Sequence, residues 1–177
     1  MTSEATFSSE KVAIIYDPAL CTGCHMCELV CSLVHFNRSH IGLSRIIIYK
    51  DKSTATFIPT VCISCPAMPC AAVCPEDAII KDEKTGMPKI IEEKCLGEEC
   101  GKCVEACPYH AIRFSPKLYP YPLMCDLCGG DPQCVKVCWS KALDIVVHTR
   151  ESDTKRYLIA AEIHRKISEI EKKYGGE

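Results

Sequence analysis

Short runs of apolar, β-branched residues alternate with polar and cysteine-rich segments along this chain of 177 residues. Such runs predict β-strands, because β-branched side chains pack well on a pleated surface. The predicted strands lie at residues 11–16, 45–50, 54–58, 78–81, 88–91, 111–114 and 143–148. A polar turn at residues 82–86, which ends in Gly86, joins two of these strands into a hairpin.

The last part of the chain has the apolar period of an amphipathic helix, which we expect over residues 152–174. Its apolar side chains recur at spacings of four, three and four, at Ile163, Ile167, Ile170 and Tyr174. Ser152 or Asp153 can cap its start, and Gly175 and Gly176 can stop it. Two supporting ion pairs are expected one turn apart, Glu162–Lys166 and Glu169–Lys173. The apolar stripe either covers the chain's own sheet or binds a partner.

Residues 116–122 contain three prolines in seven positions. Proline lacks a backbone N–H and fixes its own φ angle, so neither a long helix nor a central strand fits this segment. We expect an extended connector.

All sixteen cysteines fall into four groups of four. The groups are Cys21, Cys24, Cys27 and Cys31; Cys62, Cys65, Cys70 and Cys74; Cys95, Cys100, Cys103 and Cys107; and Cys125, Cys128, Cys134 and Cys138. The first has the spacing C-x2-C-x2-C-x3-C, which binds [4Fe–4S] clusters, and each other group has one longer gap. Sixteen soft thiolates are enough for four [4Fe–4S] clusters, and this capacity predicts an electron conductor.

Zinc and disulfides are the alternative uses of so many cysteines. Zinc sites use two separated C-x2-C pairs, whereas each group here crowds four cysteines around one larger core. Residues 1–10 are polar and do not resemble a secretion signal, which argues against an oxidised, disulfide-linked chain. Iron–sulfur clusters therefore fit the spacing best.

The fourth cysteine of each group is expected to bind the neighbouring cluster, so the groups must pair. Cys74 and Cys107 are followed by proline, whereas Cys31 and Cys138 are not, and the predicted strands at 11–16 and 143–148 bracket the chain. These features favour nested pairing, first group with fourth and second with third. The ligand sets are then Cys21, Cys24, Cys27 and Cys138; Cys125, Cys128, Cys134 and Cys31; Cys62, Cys65, Cys70 and Cys107; and Cys95, Cys100, Cys103 and Cys74. Sequential pairing, first with second and third with fourth, is the alternative.

The predicted fold class is α+β. It has two bacterial 2[4Fe–4S] ferredoxin-like units, one nested within the other, and a C-terminal amphipathic helix. The outer unit takes residues 1–58 and 118–150, the inner unit takes residues 59–117, and the helix takes residues 151–177.

The charge of the chain limits its partners. The formal net charge is −2, and four thiolate-bound clusters add about −8. Such a protein is unsuited to nucleic acid and suits a partner with a basic docking face. No run approaches the roughly 18 apolar residues of a membrane span, so we expect a cytoplasmic protein, although a partner with its own export signal could carry it elsewhere.

The segment at residues 103–114 (CVEACPYHAIRF) resembles the third group of the four-cluster, ferredoxin-like subunits of molybdenum and tungsten oxidoreductases and hydrogenases. That family includes the iron–sulfur subunits of dimethyl sulfoxide reductase and formate dehydrogenase. The resemblance covers residues 21–139 and also implies nested pairing. Two departures, the four residues between Cys95 and Cys100 and the short chain, favour the branch of small subunits that accompany tungsten aldehyde oxidoreductases.

The resemblance implies an electron-transfer subunit that is not itself an enzyme. Its expected partners are a catalytic molybdenum or tungsten subunit and, at the other end, a flavin- or quinone-linked subunit or a ferredoxin. A hydrogenase or formate dehydrogenase complex is the alternative host, and self-association into a longer array is a further possibility. An enzyme with its own substrate site would require a cluster iron that lacks a cysteine ligand.

Four other residues carry expectations. His25 is expected to be partly exposed and to donate to a sulfide or to solvent, and His35 to lie in a loop. Glu28 is expected to be a surface charge rather than an acid–base catalyst. Trp139 is expected to pack over a cluster, with docking to a partner as the alternative.

Overall fold

The computed structural model describes residues 11–174 and has the α+β character expected of the sequence. In this part of the chain the strands are β1 (Val12–Tyr16), β2 (Ile47–Asp51), β3 (Thr56–Thr60), β4 (Ile79–Lys81), β5 (Pro88–Ile90) and β6 (Leu143–Val147). The helices are α1 (Met26–Phe36), α2 (Pro69–Ala72), α3 (Lys102–Glu105), α4 (Gln133–Lys136) and α5 (Arg150–Tyr174). Short 3₁₀ turns precede or link several of these elements.

The first and last strands, β1 and β6, form an antiparallel pair in which Ile14 lies opposite Ile145. The two strands come from opposite ends of the sequence, as their expected pairing requires. On β1, the side chains of Ala13, Ile14 and Tyr16 are buried. This sheet therefore brings the segment before the first cysteine group to the segment after the fourth.

The other strands form two local antiparallel hairpins, β2 with β3 and β4 with β5. The second is the hairpin predicted around Gly86, whose φ of 74° lies in the left-handed region. Asp82 closes its turn, because its Oδ1 accepts hydrogen bonds from the Thr85 N–H at 2.7 Å and the Thr85 hydroxyl at 2.8 Å. Burial of Met87 and Pro88 then fixes this hairpin against the core.

The segment from residue 111 to residue 123 differs from its prediction. Residues 111–114 do not form a strand; only Arg113 makes an antiparallel bridge, to Leu123. The segment at 116–122 is a closed turn rather than an extended connector, because Ser115 accepts hydrogen bonds from the N–H groups of Leu118 and Tyr119. Prolines at three positions remove the donors that a longer ladder would need.

Helix α1 is longer than expected, since the cysteine groups were predicted to contain no more than one helical turn. It begins inside the first group and continues for 11 residues. It ends where Asn37 adopts a left-handed conformation with φ 52° and donates its N–H to the Leu33 carbonyl. His35 thus lies in the last turn of α1 and not in a loop.

Helix α5 begins earlier than predicted and has a different cap. The Thr149 hydroxyl accepts a hydrogen bond from the Ser152 N–H at 3.0 Å, and the Ser152 hydroxyl accepts one from the Thr149 N–H at 2.9 Å. This reciprocal arrangement caps the helix at Thr149, so the expected cap at Ser152 or Asp153 is wrong. The predicted stop at Gly175 and Gly176 lies outside the described residues.

The apolar stripe of α5 packs on the chain's own core. Ala160, Ile163 and Ile167 are almost completely buried and join the cluster that contains Ile14 and Ile63. The stripe is therefore occupied within the chain, whereas Tyr174 at its end remains exposed.

The surface of α5 carries one of the two predicted ion pairs. Lys166 Nζ lies 2.9 Å from Glu162 Oε1, as expected. Glu169 pairs with Arg165 at 2.9 Å instead of with Lys173.

Within residues 11–174, no helix combines the length and the apolar character that crossing a bilayer requires.

Candidate metal centre

The four cysteine groups share one local geometry. In each group the third cysteine is the second residue of a helix, and the fourth cysteine follows four positions later. The third cysteines are Cys27 in α1, Cys70 in α2, Cys103 in α3 and Cys134 in α4, and all four are buried. The internal repeat seen in the sequence is therefore a repeat of structure, which presents an equivalent thiol at four places.

A left-handed residue precedes the third cysteine in three of the groups. These residues are His25 (φ 59°), Met68 (φ 39°) and Gly101 (φ 65°), each directly before its helix. The left-handed conformation turns the chain sharply, so that the loop holding the first two cysteines bends back toward the third.

The thiols lie in four sets, here called gatherings. In one of them, the first three cysteines of the second group lie together with the last cysteine of the third group. Burial raises the pKa of the Cys62 thiol to about 12, and the nearby thiols of Cys107, Cys65 and Cys70 raise it as well. Burial also raises the pKa of Cys70 to about 11, again with contributions from Cys65 and Cys107. Cys107 therefore lies among the first three cysteines of the second group.

The third group gathers with the last cysteine of the second. Cys74, Cys95, Cys100 and Cys103 line one small cavity together with Pro122. Burial raises the pKa of Cys103 to about 12, with further contributions from Cys95 and Cys100. This cavity is bounded by four sulfurs from two separate loops.

The fourth group gathers with the last cysteine of the first. Burial raises the pKa of Cys134, and the thiols of Cys31 and Cys128 raise it further. Burial likewise raises the pKa of Cys125, with Cys134 and Cys31 among its neighbours. Cys31, on α1, thus lies beside the loop that leads into α4.

The first group gathers with the last cysteine of the fourth. Burial raises the pKa of Cys21, and the thiols of Cys24 and Cys138 raise it as well. Burial raises the pKa of Cys27 to about 12, followed by the Glu28 carboxylate and then by Cys21 and Cys24. Each of the four gatherings thus combines three cysteines of one group with the fourth cysteine of another.

Neighbouring gatherings are also in electrostatic contact with one another. Besides burial, a thiol from the neighbouring gathering helps to raise the pKa of one cysteine in each case: Cys27 for Cys134, Cys62 for Cys125, and Cys70 for Cys103. These contacts arrange the gatherings in one series, from the set that contains Cys21 to the set that contains Cys95.

The donor set fits an iron–sulfur cluster. Every gathering offers four thiols, and backbone N–H groups point at the last cysteine of three groups. Arg45 N lies 3.3 Å from Cys31 Sγ, Ala78 N lies 3.2 Å from Cys74 Sγ, and Ala111 N lies 3.4 Å from Cys107 Sγ. Such hydrogen bonds stabilise a thiolate and tune the potential of a bound cluster. Soft thiolate sulfur also selects iron–sulfur clusters over hard cations.

One end of the series reaches the surface. Cys24 is exposed, whereas Cys125 and Cys134 in the neighbouring gathering are buried. Trp139, next to Cys138, is 68% exposed among the protein atoms, and its packing over a bound cluster stays a prediction. Leu20 and Met26, which flank Cys21 and Cys27, are exposed as well.

Glu28 was expected at the surface, but it is only 2% exposed. Its Oε1 accepts hydrogen bonds from Arg113 Nη2 at 2.5 Å and from the Ile48 N–H at 3.2 Å. His25, which was expected to donate to a sulfide or to solvent, pairs its Nδ1 with Glu28 Oε2 at 2.5 Å, although it is partly exposed as expected. The sequence held no local signal for this site, because the helix that carries Glu28 was not expected and Arg113 lies 85 positions away.

The imidazole of His35 lies beside the gathering that contains Cys128. Its Nε2 lies 3.8 Å from Cys128 Sγ and 3.4 Å from Asp126 Oδ1, and Asp126 in turn pairs with Arg45 at 2.5 Å. Burial lowers the pKa of His35, as does the Arg45 charge, while Asp126 raises it. Mixed N, O and S donors thus meet at one edge of this gathering.

Comparison with known proteins agrees with the cysteine pattern. A family model described as "4Fe-4S dicluster domain" matches residues 53–148, which contain the second, third and fourth groups. The chain is 40% identical over 129 residues to the "Aliphatic sulfonate oxidoreductase, polyferredoxin-like subunit" of Pyrococcus furiosus. The matched region covers 73% of this chain and 72% of the relative.

Two further relatives come from Escherichia coli. Formate hydrogenlyase subunit 2 is 33% identical over 185 residues, which cover 82% of this chain and 88% of that protein. Protein NrfC is 30% identical over 190 residues, which cover 93% of this chain and 82% of that protein.

Proposed function

This chain belongs to the 4Fe-4S dicluster domain family, and we propose that it binds four [4Fe–4S] clusters and relays electrons along them within an oxidoreductase complex. It is an iron–sulfur electron-transfer subunit rather than an enzyme, in line with relatives that are subunits of oxidoreductase and formate hydrogenlyase systems. The observation that carries the proposal is the unbroken series of four four-thiol gatherings.

The proposed ligand sets follow the nested scheme. They are Cys21, Cys24, Cys27 and Cys138; Cys125, Cys128, Cys134 and Cys31; Cys62, Cys65, Cys70 and Cys107; and Cys95, Cys100, Cys103 and Cys74. The proximity of Cys138 to Cys21 and of Cys107 to Cys62 supports this scheme over sequential pairing. The corresponding units are residues 1–58 with 118–150, residues 59–117, and the helix at residues 151–177.

When bound, each cluster supplies one-electron redox chemistry. The chain supplies everything else: it holds each four-thiol set, places neighbouring sets side by side, and excludes water from the inner ones. Burial of Cys125, Cys134 and Cys70 gives these sets an apolar surrounding, and exposure of Cys24 leaves one terminal set open to a partner. An array with an accessible end and a shielded middle is suited to conduction between proteins.

We propose a catalytic tungsten or molybdenum subunit as the partner at one end and a flavin- or quinone-linked subunit or a ferredoxin at the other. The relative from Pyrococcus furiosus, a polyferredoxin-like subunit of an aliphatic sulfonate oxidoreductase, supports a host of the oxidoreductase type. The relative in formate hydrogenlyase supports the alternative host, a hydrogenase or formate dehydrogenase complex. The sixteen thiols suit the cytoplasm, where they remain reduced.

Iron analysis and electron paramagnetic resonance of the anaerobically purified chain test the cluster number. We expect about sixteen iron atoms per chain, four for each four-thiol set, and four reducible [4Fe–4S] centres. Zinc in place of iron, or material without colour, would overturn the proposal.

Serine variants of single cysteines test the pairing. Nested pairing predicts that Cys31→Ser and Cys128→Ser perturb the same resonance signal. Sequential pairing predicts instead that Cys31→Ser perturbs the signal affected by Cys65→Ser. Purification of the native complex, followed by tungsten and molybdenum analysis, then identifies the host; iron without either metal would favour the hydrogenase alternative.

A further inference from the structure

Helix α1 brings two functional groups to the gathering that contains Cys128. Cys31 and His35 are four positions apart on this helix, so their side chains lie on the same face. Cys31 supplies one thiol of the gathering, and the side chain of His35, which is only 12% exposed, lies at its edge. The helix that carries one thiol therefore also places an imidazole beside a second thiol, that of Cys128.

The Nε2 atom of His35 faces two acceptors. It lies 3.8 Å from Cys128 Sγ and 3.4 Å from Asp126 Oδ1. A cysteine that binds metal is a thiolate, and an ionised carboxylate has no proton either, so neither neighbour can donate to a nitrogen lone pair. Nε2 therefore carries the hydrogen, as it does both in the imidazolium and in one neutral tautomer.

The sulfur is the better placed of the two acceptors. Oδ2 of Asp126 lies 2.5 Å from Arg45 Nη1, and Oδ1 already accepts the Cys128 N–H at 2.9 Å. The 3.4 Å from Nε2 to Oδ1 exceeds the roughly 2.7–3.2 Å of a good N–H···O hydrogen bond. Sulfur has a larger radius than oxygen, and a thiolate is a charged acceptor, so a hydrogen bond forms at the longer distance.

Arg45 holds this arrangement together. Its backbone N lies 3.3 Å from Cys31 Sγ, and its side chain pairs with Asp126, whose carboxylate fixes the backbone at Cys128. One residue thus spans the two cysteines that flank His35. The distance between α1 and the loop of Cys128 is restrained from both sides, and the imidazole is held between them.

We propose that His35 donates a hydrogen bond from Nε2 to the Cys128 thiolate and so raises the reduction potential of the cluster held by Cys125, Cys128, Cys134 and Cys31. The inference rests on the proposed cluster binding. Reduction adds negative charge to the cluster and its sulfurs, and a hydrogen-bond donor stabilises that charged form more than the oxidised one. His35 acts through Cys128 and is not itself a ligand.

The first test is a redox titration of the whole, iron-loaded chain, followed by electron paramagnetic resonance. His35→Phe keeps an aromatic ring and removes the donor. We expect the equilibrium constant for reduction of one centre to fall about tenfold, which corresponds to about 59 mV for a one-electron couple. That centre is identified as the one perturbed in Cys128→Ser, and an unchanged potential there would overturn the inference.

His148 offers a matched control. Its Nδ1 lies 2.9 Å from Asp153 Oδ1, and the same carboxylate pairs with Arg156 at 2.9 Å. These residues repeat the order imidazole, carboxylate and guanidinium, but the imidazole bonds to the carboxylate instead of to a thiol. His148→Phe is expected to leave every potential unchanged. Equal shifts in His148→Phe and His35→Phe would show a general effect of losing a paired histidine and would overturn the inference.

Isotopic labelling of histidine nitrogen in the wild-type chain decides the matter even if His35→Phe fails to assemble. Pulsed electron paramagnetic resonance is expected to show a weak coupling between labelled nitrogen and the reduced centre that Cys128→Ser perturbs. The coupling is expected to persist in His148→Phe. Its absence from the wild-type chain would overturn the hydrogen bond and leave the relay function standing. A wild-type chain without four centres would overturn the proposed function itself.

Discussion

Nη2 of Arg156, on α5, lies 2.8 Å from the carbonyl oxygen of Ile63, a residue 93 positions earlier in the chain. The same buried guanidinium donates through Nε to the Ile14 carbonyl at 3.1 Å and pairs through Nη1 with Asp153 at 2.9 Å. One side chain thus ties the terminal helix to β1 and to the loop that holds Cys62. The stability of α5 is coupled in this way to the inner cysteine sets.

Replacement of Arg156 by methionine is expected to loosen α5. The variant keeps the aliphatic bulk but leaves two buried carbonyls without donors, and each unsatisfied group costs roughly 1–3 kcal/mol. We expect a loss of about 3 kcal/mol in the free energy of unfolding of this region. Hydrogen exchange of the α5 amides in the iron-loaded chain measures the change.

Arg165→Met is the matched control for this experiment. It removes an arginine from the same helix, but from an exposed pair with Glu169, and such pairs contribute about 0–1 kcal/mol. Equal exchange rates in Arg156→Met and Arg165→Met would contradict the anchoring role of Arg156.

Replacement of Gly23 by alanine is expected to disturb the first cysteine set. Gly23 has a φ of 66°, and a Cβ added there would overlap the ring of Phe57. Overpacking typically costs about 1–3 kcal/mol, in addition to about 1–2 kcal/mol for a left-handed alanine. We expect partial loss of one centre, measured as iron per chain and as the resonance signal perturbed in Cys24→Ser.

Gly129→Ala isolates the backbone contribution to that loss. Gly129 has a φ of 71°, but no atom lies within 4 Å of the added Cβ. We expect it to retain its iron, and we expect Phe57→Leu to restore part of the iron lost by Gly23→Ala. Failure of Phe57→Leu to restore any iron would show that contact with the ring is not the cause.

Iron binding is expected to strengthen as pH rises. Burial raises the pKa of the Cys62 and Cys103 thiols to about 12, so near neutral pH the iron-free chain must release protons when its thiols bind metal. Competition with an iron chelator between pH 6 and pH 9 is expected to remove more iron at the lower pH. Equal removal across this range would contradict the prediction.

The iron-free fold is expected to respond to pH in the opposite sense. The pKa of the Cys62 thiol is raised by burial from about 9 in the unfolded chain to about 12 in the folded one. The neutral thiol therefore stabilises the fold fully below pH 9, and this contribution is lost as pH rises from about 9 to about 12. Circular dichroism of the iron-free chain measures the loss.

The sequence predicted the features that depend on local chemistry. Cysteine spacing indicated iron–sulfur binding, β-branched runs located β1 and β6, and Asp82 and Gly86 indicated the turn between β4 and β5. The apolar period of Ile163 and Ile167 located α5. Each signal is contained in a few neighbouring residues, so no knowledge of the fold was needed to detect it.

The features that were missed depend on distant contacts or on competing signals. The burial of Glu28 requires Arg113, which lies far along the chain, and a lone glutamate resembles any surface charge. Helix α1 was hidden because its first residues also belong to a cysteine motif. Thr149 was overlooked as a cap because Ser152 and Asp153 are equally suitable by type, and only the reciprocal hydrogen bonds distinguish it.

The pairing of β1 with β6 has a consequence for how the molecule matures in the cell. Cys21 meets Cys138 only after the strand that begins at Leu143 has joined the strand that ends at Tyr16. A nascent chain that still lacks Cys138 and β6 therefore cannot complete the enclosure around its earliest cysteines. Insertion of iron at that end must follow the synthesis of β6, and until then those sulfurs need protection from oxygen.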